Sequence, residues 1–498
     1  MIKSRLIIPF ARYVAKQVDN QRKHAVQDQK RVFQKLIKKG SFTRFGKDHE
    51  FEGIHSHDDF VERVPLRDYE QGRTYFDALV RGEMDVLWPG RPAYFAKTSG
   101  TTSGTKYIPI TRDSMPNHLN TARTALLNYA ALPGKSKLFD GKVMFLSGSP
   151  TMTETNGIPT GRLSGIVNHE IPAWIKGNQL PSFKTNCVKN WEEKVDLIVE
   201  ETYDKDLRLI SGIPPWVQMY FERLLERTGK SNILEVFKNL QLFMYGGVNY
   251  EPYRHAMEEL MGGSIDTIET FPASEGFIAF QDMVDDSGLL LNSNSGIFFE
   301  FVPLQEVFEE RPTRLTLEQV SLDTDYAVIL SNNAGLWAYN LGDTVRFVNL
   351  DPYRLIVSGR IKHFISAFGE HVIAKEVEES IQSAMIEFNC KIKEFTVAPQ
   401  VTPKHGLPFH EWFIEFEDTP EDLTPIASYM DQKLRAQNIY YDDLIKGGIL
   451  KPLEIKPLQK NAFRSMMKDQ GKLGGQNKVP RLSNDRKIAN QLDPFIMS

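Results

Sequence analysis

Between residues 142 and 271 short apolar runs alternate with helical stretches. The order is KVMFLSG (142–148), WEEKVDLIVEETY (191–203), LRLISGIPP (207–215), LQLFMYGG (240–247), EPYRHAMEEL (251–260) and IDTIETF (265–271). Runs of a few β formers bounded by Gly, Ser or Pro read as strands, and longer stretches with apolar residues at helical spacing read as helices. Strands separated by helices cannot pair as hairpins, so the pattern predicts an α/β fold around a largely parallel sheet. Past Gly276 the pattern changes to short strands, GIFFEFVP (296–303), YAVILS (326–331), GLWAYNL (335–341) and VRFVNL (345–350). These predict an antiparallel, small barrel-like sheet. From about Gly359 helices and strands alternate again: helix 372–385, strands 393–399 and 411–417, helix 423–437. One hydrophobic core rarely grows past roughly 250–300 residues. The 498-residue chain is therefore expected to form a large N-terminal domain (1–358) and a smaller α+β C-terminal domain (359–498).

Several function classes are excluded early. A net charge of −4 gives no footprint for a nucleic-acid partner. Two distant cysteines, Cys187 and Cys390, fit a reducing, cytoplasmic setting and no disulfide framework. No apolar run of about 18 residues exists, so no stable membrane insertion is expected. The opening MIKSRLIIPFARYVAKQ is basic, but Pro9 interrupts its apolar run and no small-residue cleavage site follows. Residues 2–39 read as an amphipathic helix packed on the domain, in preference to a signal peptide or an interfacial membrane helix. No His-Glu-x-x-His, Cys/His zinc spacing, Gly-x-Ser-x-Gly elbow or Gly-x-Gly-x-x-Gly fingerprint occurs.

Five stretches carry candidate chemistry. TSGTTSGTK (98–106) combines small residues, which let a backbone approach an anion, with hydroxyl donors and a lysine. It reads as a phosphate loop or as a flexible linker, and it is not the Gly-x-x-x-x-Gly-Lys-[Ser/Thr] pattern. In ETFPASEGFIAF (269–280), Glu275 is a surface carboxylate or a magnesium ligand; Mg²⁺ takes one or two carboxylates plus phosphate oxygens. In LWAYNLGDTVRF (336–347), Gly342-Asp343 is a turn, or the Asp accepts ribose hydroxyls. VSGRIKHFISAFGEHVIAKEVEESI (357–381) is an interdomain hinge or a solvated basic turn. Lys478 in GQNKVPR (475–481) is a solvated lysine, or one that meets charge developing between a carboxylate and a phosphate.

Taken in this order, the five stretches resemble the adenylate-forming superfamily of acyl-CoA synthetases, luciferase and peptide-synthetase adenylation domains. TSGTTSGTK is similar to its phosphate loop, with one residue (Thr105) between the last Gly and Lys106 where the superfamily has two. FPASEG takes the place of its aromatic-Gly-x-Thr-Glu motif, YNLGD (339–343) that of Tyr-x-x-Gly-Asp, and GRIKHFISAFGEHVIAKEVE that of its hinge. The nearer resemblance is to the Gretchen Hagen family of acyl acid–amido synthetases, through FGKDHEF, VPLRDYE (64–70), YIPIT (107–111), SGIPPWV (211–217), ASEG and KVPR (478–481).

That resemblance implies an adenylate-forming fold and a ligase acting in two steps. A small aryl, indolyl or fatty carboxylic acid attacks the α-phosphate of ATP and releases pyrophosphate; an amine, usually an amino acid, then displaces AMP. It implies that Ser99, Gly100, Thr101, Thr102, Ser103 and Lys106 hold the phosphates, and that Glu275 binds Mg²⁺. Tyr245, Gly246, Gly247, Phe271 and Ser274 would border the nucleotide and Asp343 its ribose. Arg360 and Lys362 would belong to the hinge and Lys478 would be the mobile catalytic lysine; Trp216 and Tyr220 are the candidates for the acyl pocket. A thioester-forming ligase and a non-catalytic acyl or nucleotide sensor on the same fold are the alternatives. The acyl acid, the acceptor and the oligomeric state are not specified by these residues.

Overall fold

The structure is a computed structural model. It describes residues 2–497 except 100–104, 172–176, 189, 248–249, 285–287, 308, 362–363, 366–371, 402, 404–405, 447–449, 472, 474–478 and 484; at 2–3, 99, 105, 215, 251–252, 360, 364, 439–440 and 443 it describes the backbone. The chain divides into two compact units, one of residues 1–250 and 255–357, the other of residues 251–254 and 358–498.

The larger unit is organised by a sheet of eleven strands among the described residues. Their order is Ile297–Pro303, Asp325–Asn332, Tyr339–Leu350, Tyr353–Arg360, Leu289–Leu291, Gly276–Phe280, Asp266–Ala273, Leu242–Gly246, Leu207–Ser211, Lys142–Phe145 and Gln179–Leu180. From Asp266–Ala273 to Gln179–Leu180 each pairing is parallel. The central strand Leu242–Gly246 is correspondingly apolar, as burial on both faces requires. Helices Trp191–Thr202 and Pro214–Thr228 precede Leu207–Ser211 and Leu242–Gly246, which is the crossover geometry expected from the alternating pattern. On its other side Asp266–Ala273 pairs antiparallel with Gly276–Phe280. The strands expected as a small barrel-like sheet thus extend the same hydrogen-bonded sheet. GLWAYNL and VRFVNL, read as two strands, are largely one, Tyr339–Leu350.

A second sheet has the order Thr105–Ile110, Tyr94–Ser99, Ile158–Gly161, Thr153–Thr155. Its first two strands form an antiparallel hairpin in which Ser99 faces Thr105 and Thr98 faces Lys106. Pro109 is tolerated because its strand is an edge. The hairpin leads into helix Met115–Ala130, which the sequence reading overlooked. A reciprocal pair of bonds precedes it, Thr111 N–H to Ser114 Oγ (2.9 Å) and Ser114 N–H to Thr111 Oγ1 (3.0 Å), and Pro116 lies in its first turn. The opening helix Ile2–Gly40 packs against the unit through Ala11, Val14 and Val18. Its buried Gln29 donates to Ser293 O and Ile297 O and accepts from Phe299 N–H. Among the described residues no helix is long and apolar enough to cross a membrane.

The smaller unit has a sheet in the order Ile392–Gln400, Phe409–Phe416, Glu454–Leu458. The middle strand is buried throughout. Trp412 and Ile414 pack with helices Ala374–Glu387 and Thr424–Gln437, while Phe413 packs with Phe463 and Met466 of Ala462–Asp469. Two covered faces explain why FHEWFIEF is so apolar for a three-stranded sheet.

Candidate active site

The motif TSGTTSGTK lies at the tip of the Tyr94–Ser99/Thr105–Ile110 hairpin. Gly100, Thr101, Thr102 and Ser103 fall outside the described residues, as do Lys362 and Lys478; Ser99 and Arg360 are described as the last backbone positions of their strands. Lys106 lies on the second strand of the hairpin, and its ammonium stands 5.7 Å from the centre of the Tyr69 ring, a cation–π placement. The Tyr69 hydroxyl accepts a hydrogen bond from the Tyr107 backbone N–H at 3.1 Å. Tyr69 therefore grips the strand at the residue beside Lys106. Burial pushes its phenol pKa up, so it stays neutral.

From Tyr69 an aromatic series runs to the candidate magnesium ligand. Tyr69 stacks on Phe76 (centroids 4.4 Å, 14° between planes), and Phe76 meets Tyr339 edge-on at 6.4 Å. The Tyr339 hydroxyl donates to Glu275 Oε1 at 3.4 Å. Burial, and then the Glu275 charge, hold the Tyr339 pKa well above that of a free phenol, so it remains a donor. The segment 64–70 is seated here because Arg67 pairs with the start of Tyr339–Leu350: Arg67 N–H donates to Ala338 O (3.1 Å) and Asn340 N–H to Arg67 O (2.8 Å). VPLRDYE is thus a structural splint between the hairpin and the strand that carries YNLGD.

Ser274 and Glu275 form the two-residue turn between Asp266–Ala273 and Gly276–Phe280, with Ala273 opposite Gly276. This is where the sheet passes from parallel to antiparallel pairing. Asn332 fixes the turn by donating to Glu275 O (2.6 Å), while its own Oδ1 accepts from Ala334 N–H and Leu336 N–H. Asn117, near the start of helix Met115–Ala130, accepts from Phe277 N–H at 2.7 Å and donates to Ser295 Oγ at 2.8 Å. Thr111, at the hairpin exit, donates to Asn333 O at 2.7 Å. The hairpin exit and the Glu275 turn are therefore cross-braced by buried amides. Tyr69, Asn117 and Asn332 were missed as site residues. Tyr69 lies in a stretch that was singled out without a role, whereas nothing in the local sequence marks the two asparagines.

Asp343 is 4% exposed. It lies in a bulge, since Ala327 faces Thr344 but Ile329 faces Asn340, leaving residues 341–343 opposite Val328 alone. Gly342 sits at φ +86° and donates its N–H to Asn340 Oδ1 (2.9 Å). The sequence reading took Gly342-Asp343 for a turn between strands; it is an irregularity within one strand.

Tyr245 and Gly246 end the central parallel strand and Gly247 follows it. Tyr245 faces Glu269 and Gly246 faces Thr270, one residue before Phe271. Gly246 has no room for a side chain: a Cβ would lie 2.3 Å from Thr270 O. The Thr270 hydroxyl donates to Tyr245 O at 2.9 Å. These residues lie at the carboxyl end of a parallel strand, where α/β sheets bind ligands. Trp216 is buried against Trp191 (4.8 Å). Tyr220 is fully buried and its hydroxyl shares a 2.7 Å bond with Thr202 Oγ1, so its ring belongs to helix packing in this structure.

Among the described residues no three His, Cys, Asp or Glu side chains gather around a point. A single carboxylate at the Glu275 turn suits Mg²⁺, an ion that draws its remaining ligands from phosphate and water.

The architecture has close counterparts among solved structures. GH3.15 acyl acid amido synthetase superposes with a TM-score of 0.80 at 15% identity, over 97% of this chain and 96% of that one. A 2-hydroxyisobutyryl-CoA ligase in the postadenylation state, bound to R3-HIB-AMP, superposes at 0.57 with 12% identity, over 96% and 92%. The fold is that of the adenylate-forming enzymes. Sequence profiles narrow this further: the GH3 family N-terminal domain matches residues 14–187, the GH3 family central domain 290–360 and the GH3 family C-terminal domain 375–487. The chain belongs to the GH3 family. Indole-3-acetic acid-amido synthetase GH3.3 of Arabidopsis thaliana is 23% identical over 40% of this chain, a match that spans only 36% of that protein. Jasmonoyl–L-amino acid synthetase JAR4 of Nicotiana attenuata is 20% identical over 92% of this chain and 91% of its own length. 4-Substituted benzoates-glutamate ligase GH3.12 of Arabidopsis thaliana is 25% identical over 40% of this chain and 38% of its own.

Proposed function

We propose that this chain is an ATP- and Mg²⁺-dependent acyl acid–amido synthetase. In the first step a carboxylate oxygen of a small acid attacks the α-phosphorus of ATP, the α–β bridging bond breaks, and pyrophosphate leaves. In the second an amine nitrogen attacks the acyl carbon, AMP leaves, and the amine proton passes to solvent or a base. The observation that carries this reading is the splint that joins Lys106 of the hairpin, through Tyr69, Phe76 and Tyr339, to Glu275 in one unit. A lysine-bearing hairpin tied to a single carboxylate suits a triphosphate with its metal.

In this reading the hydroxyls and amides of residues 99–103, with Lys106, hold the β- and γ-phosphates. Glu275 takes Mg²⁺, which when bound neutralises phosphate charge. Buried Asp343 accepts the ribose hydroxyls, and Tyr245, Gly246, Gly247, Phe271 and Ser274 border the adenine side. Arg360 and Lys362 belong to the hinge of the smaller domain (359–498), and Lys478 stabilises the charge that develops between carboxylate and α-phosphate. The acyl acid and the amine are small molecules, and the site of action is the cytoplasm.

The test is ATP–pyrophosphate exchange with a panel of aryl, indolyl and fatty acids, followed by product identification with amino acids or coenzyme A as acceptor. Exchange with at least one acid, and an amide product, is the expected result. No exchange with any acid sinks the reading, and a thioester product reassigns the second step.

A further inference from the structure

Arg162 stands between strand Ile158–Gly161 and helix Leu163–Glu170. That strand is the parallel neighbour of Tyr94–Ser99, with Phe95 opposite Thr160 and Ala96 opposite Gly161. The ladder ends at that pair, and Arg162 is the next residue of the chain, at the same end of the sheet as Ser99. The strand that leads into the phosphate loop is thus flanked on both edges: by Thr105–Ile110 with Lys106 on one, and by Ile158–Gly161 running out to Arg162 on the other.

The Arg162 guanidinium is half-buried, and desolvation is what lowers its pKa. Among the described residues no carboxylate lies within ion-pair distance of it. Desolvating a guanidinium without an acid is costly, and a surface arginine escapes this by turning to water. Two residues on, Ser164 Oγ is buried and has no hydrogen-bond partner. The helix that follows has no acidic residue in its first turn and no side-chain cap, because arginine has no acceptor to offer. Its one acid, Glu170 at the far end, takes a 2.5 Å bond from Tyr94. A guanidinium fork without an acid partner matches a planar oxyanion.

We infer that Arg162 binds the carboxylate of the amino acid acceptor. This rests on the amido-synthetase reading. In that reading Lys106 and the loop already serve the triphosphate, and the acyl acid gives up its free carboxylate when the adenylate forms. Apart from the adenylate's own phosphate, the acceptor's carboxylate is the organic anion present while the amine attacks, and it persists in the product. Arg162 makes and breaks no covalent bond; it holds the acceptor by the carboxylate so that the amine faces the acyl carbon.

The experiment uses the full-length protein and an acid that supports pyrophosphate exchange. Alanine, leucine and phenylalanine are compared with ethylamine, isoamylamine and phenethylamine as acceptors in the wild type, Arg162→Met and Arg162→Lys. The methionine variant is expected to raise the amino acid KM by about tenfold or more, the loss of a charge-assisted pair, while the ATP KM in exchange moves less than about twofold. The wild-type preference for each amino acid over its decarboxylated amine collapses in Arg162→Met and is partly restored in Arg162→Lys, which keeps the charge but not the fork. Three results overturn the assignment alone: a wild type that uses the amines as readily as the amino acids, an ATP KM that rises as much as the acceptor KM, or an acceptor KM that is unchanged in Arg162→Met. Absence of exchange in the wild type overturns the amido-synthetase reading and this inference with it.

Discussion

The Tyr339 hydroxyl donates a hydrogen bond to Glu275 Oε1 at 3.4 Å, and Tyr339 opens the strand that the segment 64–70 braces. The phenol is held neutral by burial and then by the Glu275 charge, so it stays a donor. Tyr339→Phe keeps the ring that meets Phe76 and removes the donor. It is expected to raise the Mg²⁺ concentration needed for half-maximal pyrophosphate exchange and to slow exchange by about tenfold, the worth of a hydrogen bond to a charged group. Glu275→Ala removes the carboxylate itself and is expected to cost several kcal/mol of charge stabilisation, about a hundredfold or more in rate. Exchange in Glu275→Ala within about threefold of wild type would show that the carboxylate does not hold the metal.

Tyr69 acts on the hairpin in two separable ways. Its hydroxyl accepts from Tyr107 N–H, and its ring lies under Lys106. Tyr69→Phe strands one backbone donor, at about 1–3 kcal/mol if it stays dry, and keeps the ring. Tyr69→Leu loses both. The ATP KM should therefore rise in the order wild type, Tyr69→Phe, Tyr69→Leu, with urea midpoints falling in the same order. Equal ATP KM values for the two variants would mean that the ring does nothing for Lys106.

The local periods of the chain announced the parallel half of the sheet, because a buried parallel strand such as LFMYG and an amphipathic helix such as WEEKVDLIVEET each carry their own signature. The joining of the antiparallel strands onto that sheet was not legible, since an apolar run such as Ile297–Pro303 reads the same whether its neighbour belongs to a barrel or to a longer sheet. Glu275, Asp343 and Lys106 were found as members of short motifs. Their supports were not, because Asn332 reaches Glu275 across 57 residues and Asn117 reaches Phe277 across 160. Arg162 carries no motif at all; its interest comes from which strand lies beside it and from the acid that is missing.

The bulge that buries Asp343 depends on Gly342. At φ +86° a Cβ there would meet nothing within 4 Å, so a substitution is resisted by backbone strain and not by a clash. Gly342→Val is expected to destabilise the large unit by about 1–3 kcal/mol and to raise the ATP KM as Asp343 is displaced. Gly342→Asn should cost clearly less, because asparagine tolerates the left-handed region. Paired thermal melts and exchange kinetics decide it: equal losses for valine and asparagine would mean that the conformation at this position is not what holds Asp343.

His118 follows Asn117 on helix Met115–Ala130 and is buried beside the brace that fixes Phe277. Burial lowers its pKa from 6.5 to about 4, so the folded protein keeps it neutral where the unfolded chain would protonate it. Between those two values the unfolded state binds more protons, so stability must rise with pH there and fall as pH drops from about 6.5 toward 4. Above the unfolded value both states are neutral and the whole contribution is present. The integrated loss on acidification is about 3 kcal/mol for this one residue. His118→Leu removes the titration. Urea unfolding of both proteins from pH 7 down to the acid limit should show the wild type losing stability faster than the variant within that window and in parallel with it above. Parallel curves throughout would mean that His118 is hydrated or paired in solution.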